Sequence, residues 1–365
     1  MTTWVETDIK DILYGATLLG AGGGGALRDG LRLLSEVAEK HDVKLEVIQP
    51  EDMKPGEYAV MVAGIGAPKA MEEKDFGPEA IYAYEMMEKI AFLGGKPLKY
   101  IMAGELGGFN TMVPMYVAIL NNIPFVNGDG NGRAVPELST GLYPAFNIPP
   151  TPLVLAGSDG NTMVAYLDDP EDHKSAENIA RHISMAYGMS AAFCTWIVDG
   201  TDITEKLAPK SIERCRVVGS AINNARKANR DIVEELKKVD DCTELFRGTI
   251  KDVEVKTEGG FDFGTTTISG TGKYQGETIT IDFKNENLLV RDKSGKVLVT
   301  VPELITTLNL DNGQPLTNAE TEAGQNIAVI GIPAPENWWK KPEGFTCWTH
   351  ILEKVGYTGG SVRLT

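Results

Sequence analysis

Three glycine-rich stretches hold most of the side chains in this sequence that could do chemistry. The densest is Asn127-Gly128-Asp129-Gly130-Asn131-Gly132-Arg133-Ala134-Val135-Pro136-Glu137, which gathers two carboxylates, a guanidinium, two amides and three glycines in eleven positions. A turn needs one or two glycines, so the surplus points to a site. Asp129 and Glu137 have the chemistry of a general base and a general acid, and Arg133 could clamp an anionic group or hold a neighbouring carboxylate ionised. Asn131 would add an amide for a substrate. The spacing of Asp129 among glycines lacks the DxDxDG register and the distal glutamate of a calcium loop.

The second stretch, Gly104-Glu105-Leu106-Gly107-Gly108-Phe109-Asn110, follows the apolar run Tyr100 to Ala103. In an open α/β sheet ligands bind at the carboxyl ends of strands, which makes Glu105 a candidate base and Asn110 a candidate substrate ligand. The alternative is that either one caps a helix starting near Thr111. The third stretch is Leu19 to Ala26, where Gly20, Gly22 and Gly25 satisfy GxGxxG. That pattern signals dinucleotide binding only between a strand and a helix; here a helix precedes it, and no Lys-Ser or Lys-Thr follows. The backbone amides of Gly22, Gly23, Gly24 and Gly25 could form an anion- or oxyanion-accepting surface, or the run could be a tight packing turn. Two further candidates are Lys74, a strand-end lysine beside Glu72-Glu73, and Glu286, in a polar Asn285-Glu286-Asn287 triplet able to cap the site from a second domain.

Metal binding is not legible. His41, His173, His182 and His350 never recur at ligand spacing, and Cys194, Cys215, Cys242 and Cys347 form no CxxC pair. A divalent ion such as zinc, acidifying a water, is compatible with the carboxylates without being required by them. The cysteines read as buried, reduced residues.

The elements that must position these groups fall into two sets. Up to about residue 243 helical and strand patterns alternate: helices begin after Thr7 and at Arg28, Ile81 to Leu93 and Met112 to Leu120 are helical, and strands are predicted at Lys44 to Ile48, Tyr58 to Gly64, Tyr100 to Ala103 and Pro124 to Asn127. Several strands are almost continuously apolar, as in a sheet covered on both faces. Asn161 to Leu167, Ser175 to Tyr187, Ala191 to Val198 and Pro209 to Lys227 extend this α/β domain, assigned to residues 1–243. From 244 to 332 short Thr- and Val-rich strands alternate with turns such as Asp292-Lys293-Ser294-Gly295, which predicts a β-rich barrel or sandwich domain. Residues 333–365 are expected to pack back on the first domain.

Thirty-five basic against 51 acidic residues leave a net charge of −16. Such a surface repels phosphate backbones and anionic lipid, so neither nucleic acid nor membrane is an expected partner. The seven basic residues between Glu205 and Arg230 lie on a stretch with Ile212, Cys215, Val218 and Ile222 at helical spacing and read as a solvated helix face. No basic and apolar leader opens the chain, so a cytoplasmic location is expected, with a homo-oligomer as the expected state.

Taken together, the Gly20 to Gly25 loop, Gly66-Ala67-Pro68 with Glu73-Lys74, the Glu105 to Asn110 and Asp129 to Glu137 clusters, Asn285-Glu286-Asn287, Val301 to Ile305 and Gly331-Ile332-Pro333-Ala334-Pro335 resemble the DUF917 family of S-methyl thiohydantoin desulfurase-like proteins, associated with hydantoinases and oxoprolinases. The chain departs from the family pattern at Asn127, Asn131 and Val135. The resemblance implies an α/β domain with a β-rich partner. It also implies hydrolysis of a small five-membered cyclic amide, imide or thiohydantoin, with release of a thiol or ring opening. In that chemistry Asp129 or Glu105 would serve as base, Arg133 and the glycine-loop amides as charge stabilisers, and Glu137 or Lys74 as proton source. The alternatives are a non-catalytic subunit of a hydantoinase or oxoprolinase complex and, more remotely, nucleotide binding at the glycine loop.

Overall fold

In the computed structural model, which describes residues 1–66 and 75–364, the first half of the chain builds one mixed sheet. Its strands are β1 (Thr2–Val5), β2 (Lys44–Ile48), β3 (Tyr58–Gly66), β4 (Leu98–Ala103), β5 (Phe125–Asp129), β6 (Leu153–Ala156), β7 (Thr162–Ala165), β8 (Ser190–Val198) and the short β9 (Ala208–Pro209). The order is β1-β2-β5-β4-β3-β8-β6-β7, with β9 on β5. Only β2, β5, β4 and β3 run parallel. The expectation of an α/β sheet therefore holds at its centre, while both flanks are antiparallel. The parallel centre needs crossover helices, and Pro78–Leu93 and Met112–Asn121 supply them between β3, β4 and β5.

Helices Glu6–Leu19 and Ser211–Lys227 lie backbone against backbone. A Cβ at Gly15 would sit 1.9 Å from the Cys215 carbonyl oxygen, and one at Gly219 1.7 Å from that of Asp11. Ile212, Cys215, Val218 and Ile222 are buried on the second of these helices, and its outward Arg214 and Arg216 pair with Asp240, Glu213 and Asp8. The basic stretch is thus a solvated, ion-paired helix face.

The second sheet comprises β10 (Thr243–Glu258), β11 (Phe261–Gly270), β12 (Thr278–Lys284), β13 (Glu286–Asp292), β14 (Val297–Thr300), β15 (Leu304–Asn309), β16 (Pro315–Leu316) and β17 (Asn326–Ile332). It is antiparallel throughout, in the order β14-β13-β12-β11-β10-β17-β15-β16. One face wraps a core to which all eight strands contribute, including Phe246, Ile268, Ile281, Val299 and Leu316. This is one curled, barrel-like sheet whose ladder stays open. Leu288, Leu304, Leu308 and Ile330 instead join the core of the first domain, so apolar packing is continuous across the junction. After β17, the Trp338 indole donates to the Asn131 carbonyl oxygen at 2.7 Å and packs on Trp348. Among the described residues no helix is long and apolar enough to cross a membrane.

Candidate active site

Because β4 and β5 are parallel neighbours, with Ala103 opposite Asp129, the turns that follow them emerge at one sheet edge. The glycine loop between helices Glu6–Leu19 and Leu27–Lys40 is laid against the first of these turns. The Gly108 amide donates to the Gly25 carbonyl (3.1 Å) and the Asn110 amide to that of Gly24 (3.0 Å). A Cβ at Gly107 would stand 2.2 Å from the Gly24 carbonyl oxygen, and one at Gly24, where φ is +73°, 2.3 Å from that of Leu106. Glycine is required here so that two backbones can touch. Gly22, Gly23 and Gly24 are buried, and Gly25 is partly so. The loop is a packing element rather than an open cradle for a phosphate.

The second domain reaches the same loop through the tip of its β12–β13 hairpin. Asn285, alone between the two strands, takes φ +53°, a left-handed conformation that asparagine tolerates. That tight reversal sets Glu286 and Asn287 onto the glycines: the Asn287 amide donates to the Ala21 carbonyl (2.9 Å), and the Asn318 amide to that of Gly22 (2.8 Å). A Cβ at Gly23 would fall 1.9 Å from Glu286 Oε1. The Glu286 carboxyl therefore rests directly on Gly23.

Glu105 and Glu286 are brought together from different domains. Glu105 accepts from Asn110 Nδ2 (2.7 Å) and from the Val135 amide (2.9 Å). Burial pushes its pKa up to about 7, helped by the charges of Asp129 and Glu177 and opposed by those two hydrogen bonds. Glu286 is raised well above the usual carboxylate range, first by burial and then by the charge of Glu105, with Arg133 opposing. Two carboxyl groups that feel each other in a dry site cannot both ionise freely, so the charge of Glu105 disfavours ionisation of Glu286. That is the charge arrangement of an acid–base pair.

The other expected site residues have structural work. Asp129 is fully buried, and its carboxylate accepts the amides of Asn131 and Gly132, each at 2.8 Å; burial raises its pKa to about 6 against those bonds. It braces its own turn, and its lone pairs face amides where a base would face water. Asn131 does likewise, donating to the Gly104 carbonyl (3.0 Å) and accepting from the Leu142 amide (2.8 Å). Arg133, read as a substrate clamp, is fully buried and donates to the carbonyls of Ala134, Pro302, Glu303 and Asn287, with Trp348 against its face. Burial lowers its pKa to about 10, still a cation at neutral pH. It ties the two domains together and adds positive charge behind the glutamates.

Glu137 pairs with Lys284 and with His350 Nε2 (2.9 Å). Burial works against its charge, but the bonds from His350 and Lys284 prevail and hold its pKa near about 2. An anion held that firmly cannot be the proton source. Asn110 caps nothing, since helix Met112–Asn121 has Thr111 at its N-cap with no side-chain capping bond; its side chain orients Glu105. Lys74, with Glu72 and Glu73, lies outside the described residues. Sequence reading places Asn287 with Glu286 in a triplet able to cap the site and Glu303 only in a family stretch, and it misses Lys284, because only the long-range pairing of the hairpin with the glycine loop and Arg133 makes these residues neighbours of the site.

Among the described residues no group of three or more His, Cys, Asp or Glu side chains is disposed to hold a metal ion. Glu105 and Glu286 are two carboxyls with a guanidinium behind them, a poor donor set for a divalent cation.

Comparison with known proteins agrees with this architecture. An X-ray crystal structure of a protein from Chromobacterium violaceum superposes with a TM-score of 0.85 over 100% of both chains at 22% identity, a likeness of fold. No curated protein matches the chain. Residues 7–166 match the S-Me-THD-like N-terminal domain and residues 171–350 the S-Me-THD-like C-terminal domain. The sequence division of the family falls inside the first sheet, since β8 and β9 lie in the second match. With two family models spanning nearly its whole length, the chain belongs to the S-Me-THD-like family.

Proposed function

We propose that this protein is a hydrolase acting on a five-membered ring of the S-methyl thiohydantoin type, with Glu105 as general base and Glu286 as general acid. The observation that carries the reading is the Glu105–Glu286 pair, two carboxyls brought from different sheets to the glycine-loop joint, with burial pushing the first up to about 7 and the second well above the usual carboxylate range. In such a ring the carbon bearing the S-methyl group is doubly bonded to a ring nitrogen. Glu105 takes a proton from water as its oxygen bonds to that carbon, and the electron pair of the C=N bond moves to nitrogen, which takes the proton of Glu286. Collapse then forms the carbonyl and breaks the C–S bond. The hydroxyl proton passes to Glu286 and the leaving thiolate takes the proton held by Glu105. The products are the hydantoin and a thiol, and both glutamates regain their starting states. Arg133 contributes through its field, which favours the negative charge left on Glu286 once its proton has moved to the ring nitrogen.

The test is thiol release. The purified full chain, incubated with S-methyl thiohydantoins and separately with hydantoin and oxoproline, is expected to liberate methanethiol from the first, detected with a chromogenic disulfide. Glu105→Gln is expected to reduce the rate by ~10² or more. Equal thiol release by the Glu105→Gln chain, or release only after a hydantoinase subunit is added, would overturn the proposal.

A further inference from the structure

We infer that the Glu105–Glu286 site takes a neutral ring through the ring's N–H groups and turns away rings that carry a carboxylate. The inference rests on the site reading given above and adds the charge and hydrogen-bonding class of the ligand. Three buried side-chain atoms around the glycine loop have no hydrogen-bond partner: Asn110 Oδ1, Glu286 Oε2 and Asn287 Oδ1. Glu286 and Asn287 are almost wholly buried, at 3% and 0% exposure. Both amides have a defined sense, because Asn110 Nδ2 donates to Glu105 and Asn287 Nδ2 to the Ile305 carbonyl. The two amide oxygens left over are therefore acceptors by necessity, while Glu286 Oε2 can accept or, carrying the proton, donate.

Two of the three side chains rest on the loop, Asn287 against Gly22 and the Glu286 carboxyl against Gly23, and Asn110 is tied to it through its backbone N–H, which donates to the Gly24 carbonyl. Buried acceptors without donors are costly, and most find a partner in the protein, in water or in a ligand. A ring bearing N–H groups is such a partner.

Among the described residues the cationic side chains beside the site are already engaged: Arg133 donates to four carbonyls and Lys284 is held by Glu137. A carboxylate entering here would meet Glu105 and the fields of Asp129 and Glu177, with no unengaged cation beside it among the described residues. Oxoproline, as its anion, is the kind of ring this site should reject, although its ring amide is acceptable.

The experiment uses rings without a leaving group, so that binding is read apart from turnover. Calorimetric titration of the full chain at about pH 8 compares hydantoin acetic acid with hydantoin acetamide, oxoproline with oxoprolinamide, and hydantoin with its N,N′-dimethyl derivative. The amides are expected to bind at least about tenfold more tightly than the matching acids, and the dimethyl ring about tenfold more weakly than hydantoin. Glu105→Gln is expected to shrink the acid-to-amide ratio without changing the melting temperature comparably, a change that a purely structural role for Glu105 would not produce. Acids binding as tightly as amides, an unaffected dimethyl ring, or no ring binding at all would overturn the inference. Thiol release accompanied by a reversed acid–amide preference would remove this inference alone, whereas ring binding without thiol release would remove the hydrolase reading alone.

Discussion

Glu105 and Asp129 come from the same kind of sequence position, a carboxylate at the end of a buried strand among glycines, and the structure gives them different work. What separates them is which lone pairs are already filled. Asp129 receives two amides from its own turn at 2.8 Å and is fully buried, whereas Glu105 is partly accessible and is oriented by Asn110. Asp129→Asn, which replaces an acceptor oxygen with an NH₂ facing amide donors, is therefore expected to lower stability by about 2 kcal/mol and to leave turnover per folded molecule nearly intact. Thermal melts with rates normalised to folded protein check this. The raised carboxyls also set a pH dependence. Asp129 moves from 3.8 to about 6 and Glu105 from 4.5 to about 7, so between about pH 4 and 7 the folded chain holds more protons than the unfolded one. The contribution of these two groups to stability must fall as pH rises through that window. Glu137, lowered to about 2, acts oppositely: its stabilisation is present above 4.5 and is lost as pH falls toward 2. Urea melts from pH 4 to 7 are expected to show a shallower decline for Asp129→Asn than for the unaltered chain. The candidacy of Glu105, Asn110 and Glu286 was legible because residue type and strand-end position suffice to suggest it. The bracing role of Asp129 and the domain-tying role of Arg133 were not, because neither local amide geometry nor a contact across some 170 positions is written in spacing.

At the scale of elements, the glycine loop and the β12–β13 tip act as one joint. The sequence shows that a helix precedes the loop, which was enough to set aside a dinucleotide fold. It does not show that the loop's partner is a hairpin more than 250 residues away. The parallel centre was legible from its apolar runs, but β6 and the antiparallel direction of β8 depend on strand order, which is not a local property. Two alanine substitutions separate the loop's duties. Gly24→Ala puts a Cβ 2.3 Å from backbone at positive φ and is expected to destabilise the chain by several kcal/mol, seen as a large drop in melting temperature. Gly23→Ala meets a carboxyl group instead of backbone. It is expected to displace Glu286 and reduce thiol release more than it reduces stability. Arg133→Lys keeps a charge but loses the planar fork that reaches four carbonyls, and a loss of about 3 kcal/mol is expected from chemical denaturation.

At the scale of the whole molecule, the first domain's apolar core continues into the second, which also has a core of its own, and the candidate site lies at the polar joint where they meet. Glu105 comes from the α/β sheet edge and Glu286 from the curled sheet. Neither domain alone holds both glutamates, so on the proposed reading clusters far apart in sequence serve one site. The −16 charge of the chain adds to the local bias against anionic ligands. The central claim is that these two glutamates share the proton work of ring hydrolysis, and the pH–rate profile of thiol release by the full chain tests it most directly. The account predicts a rate that rises through an apparent pKa near 7, set by Glu105. In Glu105→Gln that limb should vanish together with ~10²-fold or more of the rate, and in Glu286→Gln the rate should fall while the limb stays near 7, because the charges opposing the ionisation of Glu105 are those of Asp129 and Glu177. A Glu105→Gln chain that keeps both the rate and the limb near 7 would contradict it.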